Sequence, residues 1–367
     1  MRAIFLYIAI FTLITLALAN NQPQVPREVN FRETETTKNV GDDNEEDQQE
    51  DHIHDAKFEN GFLPFERSVE KINQDFNDDK TYEAFTLLDV FQKAAAADRI
   101  YFEDKIREGF NEKDLIDEFL NTVIAKKLQI DKANFELRYP QLNSTDGWNY
   151  YINEPKKKLF FRNEPGFKIV TQQIEAIIEA PYENIVLLLR EADLLKHSVP
   201  LLAVSEVKNA YKPWRQLLYQ RFNAPWPLKD REVWVEISGY MLPFEDAFVF
   251  SFETVQDGEN WFGTKINKNK KSTEMIFNKS FGYLRMIGPN RTLFKFIINA
   301  DPNLEFVPAG MIDWGIKTVT GGFLNYLIDS CSDPPKMYKE RLQSKKAEYD
   351  QIYSFMSRMS RAYRDEE

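Results

Sequence analysis

Cysteine is almost absent. Cys331 is the one thiol in 367 residues, so no internal disulfide can form in any redox compartment. Its place in an apolar, helix-like stretch points to a buried thiol. Histidine is nearly as scarce: His52 and His54 lie in an acidic stretch, and His197 falls at the end of an expected helix. Asp51-His-Ile-His-Asp55 has the side chains of a metal site, yet within a run of charges it reads as solvated chain. No G-x-S-x-G, H-E-x-x-H, phosphate-loop or G-x-G-x-x-G pattern occurs. That removes the enzyme classes these motifs carry. A lone cysteine without a nearby histidine also makes a poor nucleophile pair. Asp313 and Asp329 share a helix but stand too far apart for a dyad. The expectation is a non-enzyme with no metal and no cofactor, although enzymes built from scattered carboxylates stay open.

Long apolar runs are missing too, with one exception. Ala3 to Leu18 is apolar apart from Thr12 and Thr15, follows Arg2, and ends at Ala17-Leu-Ala19, the small-x-small form of a signal-peptidase site. As a helix it spans roughly 25 Å, short of the ~30 Å hydrocarbon core. Residues 1–19 therefore read as a cleaved signal peptide, with an uncleaved signal anchor as the alternative. The expected location is the secretory pathway, lumenal or secreted. Sequons at Asn143, Asn278 and Asn290 agree with that route. Basic patches are absent as well. The net charge is −11, and residues 41–60 hold nine acids against the single base Lys57. An acidic tail on a near-neutral body excludes nucleic acid as the expected partner. Residues 20–60 read as an acidic disordered segment.

What is present is a large supply of apolar and aromatic side chains, 29 Phe and 16 Tyr among them. Tyr82, Phe85, Leu88, Phe91 and Ala95 recur at helical spacing, and Asn111 is placed to cap a second helix whose stripe runs from Leu115 to Leu128. Strands are expected at 147–152, 158–162 and 167–178, a helix at 181–195, then strands at 200–207, 213–222, 231–242, 247–255, 281–288 and 292–299. Residues 257–280 read as a polar hairpin excursion. Long helices are expected at 308–331 and 336–364. Consecutive strands with short connections favour an antiparallel sheet, and a long helix across it makes an α+β domain.

Alternation puts Phe248, Phe250 and Phe252 on one strand face, and Phe294, Phe296 and Ile298 on another. Such faces pack a core or wall a cavity. Arg231 and Arg285 are the polar exceptions, each either surface-exposed, ion-paired or buried against a ligand. The loop Ala224-Pro-Trp-Pro-Leu-Lys-Asp-Arg-Glu232 is stiffened by two prolines around Trp226 before a long strand begins.

That junction resembles the one in START domains, the steroidogenic-acute-regulatory-protein-related lipid-transfer family. So do Asn299-Ala-Asp-Pro302, Phe306-Val-Pro308 and the helix segment Met311-Ile-Asp-Trp-Gly-Ile316, in that order, together with Gly147-Trp148. The resemblance covers residues 80–332. It implies a helix-grip fold, a curved antiparallel sheet wrapped around a long C-terminal helix with extra helices at both ends, and a lipid-sized tunnel between sheet and helix. It implies a phospholipid or sterol ligand, transient contact with a membrane surface, and transfer between membranes. A lipid sensor or adaptor that does not transfer, or a cyclase-like enzyme on the same grip, are the alternatives. Trp226 would flank the tunnel entrance. Met311, Trp314 and Ile316 would face lipid from the gripped helix, with Gly321-Gly322 a flexible point in it. Residues 333–367 form an amphipathic C-terminal helix, read either as a membrane-surface helix or as one packed on the N-terminal helices.

Overall fold

The computed structural model describes residues 61–102, 111–144, 146–199, 201–224, 228–288, 290–303 and 309–356, apart from the side chains of 309–319 and 355. They all belong to one structural unit, Asp47–Glu367. The expected signal peptide, acidic segment and His52/His54 pair lie outside the described residues, as does Trp226.

Four helices open this unit. They are α1 (Phe65–Asn77), α2 (Thr81–Ala96), α3 (Glu112–Leu120) and α4 (Val123–Arg138). Asn111 caps α3 by accepting the Asp114 N–H at 2.8 Å. The single stripe expected from Leu115 to Leu128 is two helices. Thr122 accepts the Ala125 N–H at 3.2 Å and so starts a new helix where the old one ends.

The strands follow: β1 (Asn149–Glu154), β2 (Lys157–Arg162) and β3 (Thr171–Ile178). Helix α5 (Tyr182–Arg190) and a 3₁₀ turn (Ala192–His197) come next. Then run β4 (Leu202–Lys212), β5 (Arg215–Phe222), β6 (Arg231–Leu242), β7 (Ala247–Thr254), β8 (Ser280–Gly288) and β9 (Arg291–Ile298). They form one sheet in the order β1-β2-β3-β9-β8-β7-β6-β5-β4, each antiparallel to the next, and the short strand Thr273–Glu274 pairs in parallel with the start of β6. Helices α6 (Ala309–Ser332), α7 (Lys336–Ser344) and α8 (Lys346–Met356) complete the chain's described part.

Both faces of the sheet are covered. On the inner face Ile174, Phe250, Leu284 and Phe296 pack with Leu324, Leu327 and Cys331 of α6. On the outer face Tyr240, Val249, Phe281 and Ile297 pack with Phe76, Phe85, Phe91 and Leu128 of the first four helices. Helix α1 therefore continues the layer of α2, across the expected boundary at residue 80. This is the α+β helix-grip architecture.

The outer closure is also ionic. Arg215 of β5 is 2% exposed and pairs with Asp131 of α4 and Glu236 of β6. Lys127 binds Glu236 at 2.5 Å, and Ser238 donates to Asp131 at 2.7 Å. Burial pushes the Asp131 carboxyl above its ordinary range, more than Arg215 pulls it down.

The C-terminal segment corrects both expectations for it. The described part is two helices, and Tyr338, Tyr349, Ile352 and Met356 are at most 1% exposed, in the same inner core as α5. The aromatic stripe is thus spent against α5 rather than a membrane surface or the N-terminal helices. The helix also runs unbroken through Gly321 and Gly322.

Candidate functional site

The strand period sends Ile237 and Gly239 of β6, Phe248, Phe250 and Phe252 of β7 and Leu284 of β8 to the inner face. Opposite them stand Val186, Leu189 and Arg190 of α5. The turn before β5 adds Pro213 and Trp214, and β5 adds Gln216. Together they line a cavity of about 50 Å³. That is room for roughly four waters at 10–15 Å³ each.

Two glycines make the ring packing possible. A Cβ on Gly239 would meet Cζ of Phe248 at 2.5 Å, and one on Gly282 would meet Cζ of Phe250 at 2.0 Å. The rings occupy the space that side chains on the neighbouring strands would fill. Trp214 lies 4.5 Å from Phe248, and Phe250 stands 5.7 Å from Phe252 and 5.8 Å from Phe296, centroid to centroid.

Among the described lining residues Arg190 and Gln216 are polar. The Arg190 side chain is 6% exposed and meets Glu191 at 3.1 Å and Glu348 of α8. Its guanidinium lies over the Tyr349 ring, 5.3 Å from the centroid. Glu191 is the hub that ties α7 and α8 to α5. It accepts from Arg341 at 2.5 Å, from Lys345 at 3.2 Å and from the Tyr349 hydroxyl at 2.7 Å. Burial, then the Glu191 charge, pushes the Tyr349 phenol well above its ordinary range.

Of the residues expected from sequence, Phe248 and Phe250 line the cavity. Phe294 and Phe296 stand further along the same face, buried in the inner core. Arg231 is buried at the start of β6, but it braces the backbone: Nε donates to the Pro302 carbonyl at 2.6 Å and Nη1 to that of Lys229. Burial lowers its pKa, and Asp230 offsets that in part. Arg285 takes the surface-exposed reading, which corrects the expectation that it contacts lipid. It is exposed and shares the outer face with Phe281 and Tyr283, while Leu284 and Gly282 face inward. An alternating strand cannot aim it at the cavity. Met311, Trp314 and Ile316 belong to α6, but their side chains lie outside the described ones. Sequence reasoning missed Arg190, Trp214 and Gln216. Arg190 closes α5, where a base ordinarily serves the helix C-terminus and gives no other signal.

A wider groove of about 750 Å³ opens beside the end of α4, among Gln141, Arg162, Glu164, Phe167 and Lys279. It holds the Arg138–Glu164–Arg162 ion cluster. Its charged, mixed wall lacks the apolar convergence of the inner cavity. Among the described residues no cluster of metal-ligating side chains occurs, and no helix is long and apolar enough to cross a membrane.

No protein-family model matches the chain. No curated protein matches it either. Solved structures do. The crystal structure of human STARD10 superposes with a TM-score of 0.50 at 13% identity, over 58% of this chain and 84% of that one. Human StAR-related lipid transfer protein 5 gives 0.49 at 11%, over 56% and 97%. The Zhui aromatase/cyclase from Streptomyces sp. R1128 gives 0.29 at 9%, over 44% and 93%. At such identities the likeness concerns the fold, and the first of them agrees with the helix-grip architecture derived above.

Proposed function

We propose that the chain binds one lipid, a phospholipid or a sterol, between the inner sheet face and the helices covering it, and carries it between membranes along the secretory route. The observation that carries this reading is the cavity itself: aromatic and aliphatic walls converge on a guanidinium and an amide. Apolar lining with a few placed polar groups is the composition of small-ligand sites. Neither a guanidinium nor an amide is an acid–base catalyst at neutral pH, which favours binding over turnover.

The physics of the task explains why enclosure is enough. Moving an acyl chain into water costs about 0.8 kcal/mol per CH₂, so a lipid with ~30 methylenes faces a barrier on the order of 20 kcal/mol. Apolar walls replace water around the chains, and no covalent step is needed. A cavity of about 50 Å³ is far smaller than a lipid. Loading therefore requires the covering elements to separate from the sheet, with the Trp226 loop and the start of α6 as the proposed gate, opened in transient contact with a membrane surface.

The test is to express the chain through a secretory pathway, purify it, and identify bound lipid by native mass spectrometry with extraction. One stoichiometric lipid, exchanged between donor and acceptor vesicles, is the expected result. Tight binding without exchange would restrict the function to lipid sensing. A protein that carries no lipid and takes none from vesicles would overturn the reading.

A further inference from the structure

Among the described residues Arg190 is the one cationic side chain in the cavity wall, and its arrangement is asymmetric. Its side chain is 6% exposed. The Nε–H is buried and has no hydrogen-bond partner among the described residues. A guanidinium carries five donors and no acceptor, so an unmet N–H there calls for an acceptor oxygen. Leaving it unmet costs the desolvation of that group.

The two carboxylates beside Arg190 are not equivalent. Glu191 is 2% exposed and shared with Arg341 and Lys345, and it also accepts from the Tyr349 hydroxyl. Its charge is already answered. Glu348 is 38% exposed and has water available in place of Arg190. An exposed partner of this kind contributes little. Arg190 can thus turn toward an anion in the cavity while Glu348 returns to solvent. The rest of the wall, from Trp214 through Phe248, Phe250 and Phe252, is apolar and would meet an acyl chain once the covering elements have separated.

We propose that Arg190 holds the polar end of the ligand, so that the cavity selects lipids with an acidic head, a carboxylate or a phosphate, with Glu348 as the counter-ion that yields. This rests on the lipid-binding reading above and names its ligand class. A charge-assisted bond to a buried guanidinium is roughly twice as strong as a neutral one and is often bidentate, which gives direction as well as affinity.

The experiment compares matched pairs on the full chain: oleate against oleyl alcohol, and dioleoyl phosphatidic acid against dioleoylglycerol. Affinities come from displacement of a fluorescent fatty-acyl probe. The wild type should favour the acidic member of at least one pair by about tenfold or more. Which pair shows the preference separates a free fatty acid from a phospholipid. Arg190→Gln should erase the preference, bringing the acidic member's affinity down to that of the neutral member. Glu348→Gln keeps the guanidinium and removes its competitor, so it should strengthen the preference. It also keeps the idea testable should Arg190→Gln fail to fold. Binding of both members alike by the wild type, or a preference that neither variant changes, overturns the role of Arg190 alone. Binding of none of the four by a chain that still takes a lipid from vesicles also overturns the role of Arg190 alone, and a chain that takes up no lipid at all overturns the lipid-binding reading with it.

Discussion

Replacing Gly282 by alanine adds one methyl group, and its effect can be worked out from the sheet. Gly282 pairs with Phe250 in register, and the new Cβ would lie 2.0, 2.2 and 2.5 Å from three atoms of that ring. Two effects compete. Glycine in a strand costs roughly 0.5–1 kcal/mol relative to alanine, which favours the variant. Overpacking in a filled core costs typically 1–3 kcal/mol. Phe250 is 6% exposed and flanked by Phe252 and Phe296, so its ring has the cavity as the available direction of movement. The clash wins, with a net loss of about 1–2 kcal/mol. For a domain of this size that lowers Tm by roughly 2–8 °C. It should also reduce lipid uptake, because the displaced ring occupies cavity space. The assay is a thermal melt of Gly282→Ala, Phe250→Leu and the double variant. The smaller side chain should relieve the clash, giving a coupling of about 1 kcal/mol or more. A Gly282→Ala protein that melts with the wild type, or strict additivity in the double variant, would refute the packing argument.

Three further outcomes are expected. Arg215→Ala leaves buried Asp131 without its cation and Glu236 with Lys127 alone, and should cost about 3–5 kcal/mol, read by urea unfolding; a loss under 1 kcal/mol would show that layer is not held by its ions. Glu191→Gln removes the charge shared by Arg341 and Lys345, so trypsin should cut within α7–α8 much sooner while the sheet stays intact; unchanged digestion would count against the hub. Burial pushes the Cys331 thiol up to about 12. The folded protein keeps that proton after the unfolded chain has lost it. The thiol's contribution is therefore whole below pH ~8.5, the usual thiol pKa, and declines as pH rises toward 12. Cys331→Ala should flatten that part of an alkaline stability profile, and an unchanged slope would assign it to the tyrosines instead.

Much of the sheet was legible because its strands are long and bounded by turn residues. The span read for β6, Arg231 to Leu242, is the span observed. The facing of β8 was less legible. Tyr283 and Leu284 are both buried, one on each face, so the apolar run carries no alternation to show which way Arg285 points. The sheet's register settles that, and register depends on β7 and β9, distant in sequence. Helix α1 was missed because Phe65–Asn77 is mostly charged and polar, with Ile72 and Phe76 the apolar residues it buries fully. Arg190 was invisible for a different reason. Its environment comes from Glu348 and Tyr349 of α8, more than a hundred residues away, and nothing in the local pattern separates it from a helix-ending base.

The two closures of the sheet differ in what opening would expose. On the outer side Arg215, Asp131 and Glu236 have side-chain exposures of 2%, 3% and 8%, so lifting α4 breaks an ion pair set in a dry interior. Stranding one member of such a pair is costly. On the inner side each ion pair that holds α7 and α8 has one partner near water, Glu348 at 38%, Lys345 at 36% or Arg341 at 27%, and one buried, Arg190 at 6% or Glu191 at 2%. On separation Glu348, Lys345 and Arg341 return to solvent, while Glu191 and Arg190 keep each other as partners at 3.1 Å. What resists opening there is the apolar stripe of Tyr338, Tyr349 and Ile352, and on the proposed function an entering lipid would replace that contact with its own apolar surface. Access to the cavity through the inner layer, with the outer layer as the fixed frame, follows from this difference in where the charges are buried.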